Sequence, residues 1–321
     1  LWESERFASD VTPIGRLEYL FTQFPVIVTY LRLLVLPVNQ NLDYDHPIHD
    51  SLFHPPVFFS FLFLSSLLGF DLWCLFRPRN AHWRLVGFGI LWFFLALSIE
   101  SSIFPIMDVI FEHRLYLPSA GFFLAVSLLG ARMCSTKRVL YVPFVLLVLS
   151  LLSVATYRRN LVWTDPMTLW QDVLKKSPNN ARAHNNLGYS YMLQNRTDEA
   201  LRSFQTALTI QPGIPKTHYN IGNIYASQGR LEEAKKEYET ALGINPADAE
   251  VHNNLGNVLQ ALGRFSAAEA GCRRALELKP DYCEAHDNLG IVLRALGRLS
   301  EAEASHRRAI LLGSDSHIAH R

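Results

Sequence analysis

Residues 187–212 read LGYSYMLQNRTDEALRSFQTALTIQP, and the same pattern returns every 34 residues toward the carboxyl end. A Leu-Gly or Ile-Gly pair begins the pattern, two alanines follow at fixed steps, and a proline ends the first three copies. The residues in register are Gly188, Gly222, Gly256 and Gly290, then Ala200, Ala234, Ala268 and Ala302, then Ala207, Ala241, Ala275 and Ala309, then Pro212, Pro246 and Pro280. Small residues at fixed helical positions with a helix-ending proline predict pairs of antiparallel helices that stack.

The composition divides the chain near residue 157. Of its 20 phenylalanines 18 lie before residue 145, whereas only one of seven lysines precedes Lys175. A net charge of +1 over 321 residues argues against a dedicated nucleic-acid binder. Four cysteines without a CxxC spacing exclude a disulfide scaffold or a zinc ribbon. Because the chain begins with Leu1 and shows no cleavable signal peptide, we expect a fragment whose beginning is missing.

The amino-terminal half contains four apolar runs. They cover approximately residues 54–76, 85–104, 115–131 and 139–156. About 20 helical residues cross the ~30 Å of bilayer hydrocarbon, and each run is long enough or nearly so. We predict four transmembrane helices in residues 54–156. The apolar stretch Pro25–Val38 has only 14 residues and contains Arg32, so residues 1–53 are expected to form an interfacial or re-entrant helix and a loop.

The cations between the runs predict the orientation. They lie between spans one and two and between spans three and four, at Arg77, Arg79, Arg84, Arg132, Lys137 and Arg138. Short loops rich in Arg and Lys stay on the cytoplasmic side. Residues 1–53 and everything after Tyr157 are therefore expected on the periplasmic or lumenal side of a bacterial inner membrane or an endoplasmic reticulum membrane.

The repeats resemble the tetratricopeptide repeat, which has two antiparallel helices per unit. Four repeats over residues 181–316 then begin at Ala181, Pro215, Ala249 and Cys283, with a tail at 317–321. Residues 157–180 connect to them with a half-repeat helix, for which Thr164 or Asp165 is the cap and Pro166 the first residue. The predicted fold class is all-α, a multispanning helical membrane domain followed by a repeat solenoid.

Asparagines recur on the first helix of each repeat. Those at Asn186, Asn220, Asn254 and Asn288 share one register, and Asn223 and Asn257 lie one turn further on. An amide has a donor and an acceptor, which match one peptide unit of an extended chain. The series is similar to the asparagine ladder of O-GlcNAc transferase, where such residues hold the substrate backbone. These residues are candidates for peptide binding, and the alternative is that they bond only to neighbouring helices.

Polar clusters in the outer loops suggest other sites. Glu112, His113 and Arg114 directly precede the third span, and an arginine fork suits a phosphate group. With Tyr116 and Glu100 they are candidates for a lipid-phosphate site, the alternative being ordinary interfacial anchoring. Asp43, Asp45 and His46 could hold a divalent cation, although their spacing matches no fixed metal motif. Four histidines repeat at 184, 218, 252 and 286, too far apart to share one ion, so we expect them to pack.

The segments EHRLYLPSAGF (Glu112–Phe122) and YLRLLVLPVNQNLDYD (Tyr30–Asp45), together with outer-side repeats, resemble the transmembrane and tetratricopeptide repeat-containing family. The resemblance implies a type C glycosyltransferase fold, which transfers sugar from a polyprenyl-phosphate donor to a protein hydroxyl. Such enzymes carry an acidic catalytic motif in their first outer loop. None matches here, so the resemblance places the catalytic base upstream of Leu1 and implies that this chain alone is inactive.

Two other functions remain open from the sequence. The spans could merely tether repeats that recruit protein partners, which describes a membrane-anchored scaffold without catalysis. A soluble O-GlcNAc transferase fits the repeats alone, but no nucleotide-sugar domain follows them and the apolar runs would have no explanation.

Overall fold

The computed structural model describes residues 15–37, 39–44, 47–76, 81–98, 116–133 and 138–319. These residues form helices and no strands, as the sequence predicts, and they divide into two compact units, Leu1–Asn180 and Ala181–Arg321. The helices of the first unit are α1 (Arg16–Val35), α2 (Pro55–Phe76), α3 (Ala81–Ser98), α4 (Tyr116–Met133), α5 (Arg138–Trp163) and α6 (Pro166–Lys176). Those of the second are α7 (Ala181–Leu193), α8 (Thr197–Ile210), α9 (Pro215–Ser227), α10 (Leu231–Ile244), α11 (Ala249–Ala261), α12 (Phe265–Leu278), α13 (Cys283–Ala295) and α14 (Leu299–Ala319).

Three helical segments of the first unit are long and apolar enough to cross a bilayer: Pro55–Phe76, Ala81–Ser98 and Val145–Trp163. Helix α4 contains a shorter apolar run, Leu117–Gly130. These segments carry large exposed apolar side chains, among them Phe59, Leu95 and Leu151. Such surfaces are costly in water and stable against lipid, so the helices support a membrane location.

Helix α1 is longer than the predicted interfacial segment. It begins at Arg16, with Pro25 inside it, and not at Pro25. The sequence interpretation began the apolar segment at a proline, which is common at a helix start, but tertiary packing extends the helix in the amino-terminal direction. Val26, Tyr30 and Leu33 of α1 are buried in one apolar cluster with Phe93 and Leu97 of α3.

Two glycines bring α3 and α4 into backbone contact. A Cβ atom on Gly89 would lie 2.6 Å from the carbonyl oxygen of Gly121, and a Cβ on Gly121 would collide with the Gly89 carbonyl oxygen. Small residues at a crossing allow two apolar helices to approach closely, which is how helices associate when both are surrounded by lipid.

Helix α6 begins at the predicted cap. Asp165 accepts a 3.0 Å hydrogen bond from the Thr168 backbone N–H, and Pro166 is the first helical residue, where its missing N–H costs nothing. The buried residues Leu169, Trp170 and Val173 form the inner face of the helix.

The second unit stacks four helix pairs in chain order. The first helices begin at Ala181, Pro215, Ala249 and Cys283, the positions that the 34-residue period gives. Within a pair, a glycine of the first helix receives a side chain of the second, such as Phe204 against Gly188 and Tyr238 against Gly222. A Cβ on Gly222 would lie 2.6 Å from the Tyr238 ring, so the period in the sequence records this contact.

The turn within each pair requires a left-handed residue. Gly229, Gly263 and Gly297 have φ values of 73°, 75° and 78°, and Asn195 occupies the same place in the first repeat with φ 58°. Glycine and asparagine are the residues that adopt this conformation at low cost. Helix α14 continues to Ala319, beyond the predicted end of the fourth repeat at residue 316.

Candidate peptide groove and apolar cavity

The asparagine series of the second unit is divided between two kinds of environment. Asn254 Nδ2 on α11 donates to Tyr219 Oη at 3.2 Å and to Asn223 Oδ1 at 3.1 Å, both on α9. Asn288 Nδ2 on α13 donates 2.9 Å to Asn253 Oδ1 on α11. These amides therefore join adjacent repeats.

Asn220 differs from both of these residues. It is only 2% exposed, yet among the described residues none hydrogen-bonds its side chain. The bridge between the first two repeats is made instead by Thr217 Oγ1, which donates 2.9 Å to Asn185 Oδ1. The buried amide of Asn220 consequently retains its donors and acceptor.

The other predicted peptide-binding residues lie along the same helix faces. Asn186 is half-buried and its Oδ1 accepts from Asn185 Nδ2 at 3.2 Å. Asn223 is half-buried, and its Oδ1 also accepts a 2.6 Å bond from Tyr238 Oη. Asn257 is exposed. The sequence register placed these residues together but could not separate those that bind a neighbour from those that do not.

Charged residues change sign along this face. The position one turn before each series asparagine is occupied by Arg182, Lys216, Glu250 and Glu284 in successive repeats. Lys216 Nζ lies 4.8 Å above the Tyr219 ring. Burial, with smaller contributions from the Glu250 and Asp248 carboxylates, raises the pKa of Tyr219. The face is therefore basic in the first two repeats and acidic in the last two. We call the face formed by these charged residues and the asparagine series the peptide groove.

The repeated histidines have a structural explanation. His218, His252 and His286 place Nε2 at 3.3, 3.0 and 3.1 Å from the carbonyl oxygens of Pro212, Pro246 and Pro280, which end the preceding repeats. Within the described part of the chain no three His, Cys, Asp or Glu side chains are grouped as a metal site would require.

A cavity of about 450 Å³ lies between the first four helices. All of its lining residues are apolar except Arg32, whose own side chain is exposed. Its walls come from Val28, Leu31, Arg32 and Val35 of α1, Phe63, Leu67 and Phe70 of α2, Ile90, Phe93 and Phe94 of α3, and Phe122, Ala125, Val126 and Leu129 of α4. The volume is within the range of small-molecule sites, and its lining suits a hydrocarbon chain. Sequence reasoning missed this cavity because four separate helices form it.

A polar cluster joins the loop after α1 to helix α6. Asp172 accepts from Arg159 Nη1 and from Lys176 Nζ, each at 2.6 Å, and Lys176 also donates 2.6 Å to the Gln40 carbonyl. Asn41 Nδ2 donates to Ser177 Oγ at 2.9 Å. These bonds hold residues 40–41 against the half-repeat helix.

Several predicted site residues lie outside the described residues. Glu100, Glu112, His113 and Arg114 are among them, as are Asp45 and His46 of the suggested cation site. Tyr116 is the first residue of α4. Asp43 is described, and its carbonyl accepts a 2.8 Å bond from Asn41 Nδ2.

Family models for tetratricopeptide repeats match residues 181–213, 222–263 and 247–310. Residues 181–310 contain tetratricopeptide repeats. The second unit is similar in fold to solved tetratricopeptide-like chains titled MamA, one of them from Desulfovibrio magneticus RS-1 at 17% identity and a TM-score of 0.44, covering 51% of this chain and 94% of that one. Another MamA crystal structure has 20% identity and a TM-score of 0.43, covering 47% and 88%.

The chain is also similar to proteins named O-mannosyl-transferases, which confirms the resemblance found in the sequence. It is 32% identical over 114 residues to human protein O-mannosyl-transferase TMTC3 and 33% identical over 138 residues to Tmtc2 of Drosophila melanogaster. A Caenorhabditis elegans relative, F38B6.6, is 29% identical over 179 residues. These matches cover 35%, 41% and 56% of this chain but only 12%, 14% and 25% of the relatives.

Proposed function

We propose that this chain is part of a membrane glycosyltransferase that transfers a sugar from a polyprenyl-phosphate donor to a protein held in the peptide groove. The relatives named O-mannosyl-transferases support the reaction class, and the tetratricopeptide repeats support a protein acceptor. The observation that carries the proposal is the apolar cavity with a single cationic residue in its wall.

The cavity suits an amphiphile with an anionic head. Its hydrocarbon walls would bury an isoprenoid chain, since each buried CH₂ contributes about 0.8 kcal/mol. Arg32 lies in the last turn of α1, with its stem along the cavity and its side chain exposed. A guanidinium at the mouth of such a cavity binds phosphate oxygens in pairs. Arg114, His113, Glu112, Tyr116 and Glu100 are proposed as further residues of the donor-phosphate site.

The contact between the loop after α1 and α6 supports a common side for donor and acceptor. Gln40 and Asn41 touch Lys176 and Ser177, so the two segments lie on the same face of the membrane. An even number of crossings must then separate them. Three helices cross by length and composition, so α4, whose 18 residues extend about 27 Å, supplies the fourth. Combined with the positions of the cations, this supports an outward-facing groove.

The proposal is tested with a farnesyl phosphate that carries a photoreactive diazirine at its chain end, in lipid nanodiscs containing the protein. We expect saturable labelling of α1–α4 that unlabelled polyprenyl phosphate competes away and unlabelled farnesol does not. Arg32→Gln should reduce labelling about tenfold, the value of one charge-assisted hydrogen bond, whereas Arg158→Gln, exposed on α5, should not.

Labelling that does not saturate, or that Arg32→Gln leaves unchanged, would contradict a donor site in the cavity. If the groove then still bound peptides, the membrane-anchored scaffold would be the correct function. In that case the four helices would serve only to anchor the repeats.

A further inference from the structure

The Asn220 side chain is a buried amide that the protein leaves without a hydrogen-bond partner. It is 2% exposed, and within the described residues nothing donates to it or accepts from it. An unsatisfied buried polar group costs about 1–3 kcal/mol, so such a group in a folded protein needs an explanation. A ligand that supplies the missing partners is one.

The two residues that share its register do not need a ligand. Asn254 bonds to Tyr219 and Asn223, and Asn288 bonds to Asn253, so each is satisfied by the preceding repeat. At the boundary between the first two repeats Thr217 and Asn185 make that bridge, which releases Asn220. Equivalent positions in the sequence therefore have different tasks.

A cation without an ion pair lies one turn before Asn220 on α9. Lys216 is half-buried with its ammonium over the Tyr219 ring, and no described carboxylate pairs with it. Residues at i and i+4 of a helix have Cβ atoms about 6 Å apart. This separation matches the distance between a peptide unit and the carboxylate of the same Asp or Glu residue. One acidic residue of an extended chain could therefore contact both side chains.

We infer that Asn220 and Lys216 together bind one acidic residue of an extended polypeptide, Asn220 through the peptide unit and Lys216 through the carboxylate. Asn254 and Asn288 hold the repeats together and do not contact the bound chain. The inference rests on the proposed peptide groove and specifies what that groove selects. Acceptor segments would carry Asp or Glu opposite the second repeat, near the half-repeat helix in the chain.

The test uses the protein in nanodiscs and two fluorescein-labelled, Ser- and Thr-rich peptides that differ only in a central Glu or Gln. Fluorescence anisotropy should show the Glu peptide binding about threefold more tightly, as for one partly exposed ion pair. Lys216→Met should remove that difference without weakening the Gln peptide. Asn220→Ala should weaken both peptides about fivefold, the value of one hydrogen bond.

Matched controls lie on second helices of the repeats, away from the groove. Lys236→Met on α10 and Gln205→Ala on α8 remove an exposed ammonium and an exposed amide, and should change neither affinity. Circular dichroism should show full helix content for Asn220→Ala, because the substitution breaks no internal hydrogen bond.

Equal affinity of the two peptides for the unmodified protein, or unchanged binding by Asn220→Ala, would overturn this inference while leaving the groove in place. Failure of both peptides to bind the unmodified protein at any concentration would overturn the groove itself.

Discussion

Asn41 Nδ2 donates a 2.9 Å hydrogen bond to Ser177 Oγ, joining residues 136 positions apart across four apolar helices. The bond is buried, and the neighbouring Lys176–Gln40 bond supports the same contact. Two segments that touch outside the bilayer occupy the same side of it. The relationship therefore tests the topology directly.

We predict that Gln40→Cys and Lys175→Cys, introduced separately after replacing the four native cysteines by serine, react with an impermeant maleimide from one side of sealed vesicles. Arg132→Cys, at the end of α4, should react only from the opposite side because α4 crosses the membrane. Reaction of all three from the same side would show that α4 does not cross.

The contact between α3 and α4 predicts a large effect of a single methyl group. Gly89→Ala would place Cβ 2.6 Å from the Gly121 carbonyl oxygen and should destabilise the membrane unit by about 1–3 kcal/mol, the usual cost of overpacking. Gly69→Ala on α2 meets no atom within 4 Å and is the matched control. Thermal unfolding in detergent measures both, and equal midpoints would show that the glycine crossing does not stabilise the unit.

Asn254 should contribute to stability and not to peptide binding. Asn254→Ala removes the bonds to Tyr219 and Asn223 and should lower the free energy of unfolding of the repeats by about 1–2 kcal/mol. Asn257→Ala, at an exposed position one turn further on, should change it by less than about 0.5 kcal/mol. Urea titration followed by circular dichroism makes the comparison. A destabilisation by Asn257→Ala as large as that by Asn254→Ala would contradict the bridging role.

The Asp172 cluster predicts a loss of stability in acid. Burial raises the pKa of Asp172, but hydrogen bonds from Lys176 and Arg159 outweigh it and lower the pKa below the ordinary value of 3.8. A lowered native pKa gives stability that is fully present above the unfolded-state pKa, about 4, and is lost as the pH falls through the native value. Asp172→Asn should therefore lower the melting temperature at pH 7 and flatten its decline below about pH 4.

Asp198→Asn, exposed on α8, provides the control for that measurement. If Asp172→Asn retained the full acid-dependent decline of the unmodified protein, the cluster would not be its cause.

The sequence predicted the repeat helices closely because their starts follow from contacts repeated every 34 residues, such as Tyr238 on Gly222. It also predicted the cap of α6, since Asp165 and Pro166 act locally. The start of α1 was wrong, because burial of Tyr19 and Val26 sustains a helix on both sides of Pro25. The special state of Asn220 was not predictable, since it depends on a bond between Thr217 and Asn185 in adjacent repeats.

The central claim is that a lipid-borne sugar and a captured polypeptide meet on one side of the membrane. Its most direct test reconstitutes the product of the complete gene in proteoliposomes with a polyprenyl-phosphate sugar and the Glu-containing peptide, and measures peptide mass. The account predicts a peptide heavier by one sugar on Ser or Thr, with less product from Arg32→Gln and from Asn220→Ala at low peptide concentration. Peptide binding without any sugar transfer would contradict it.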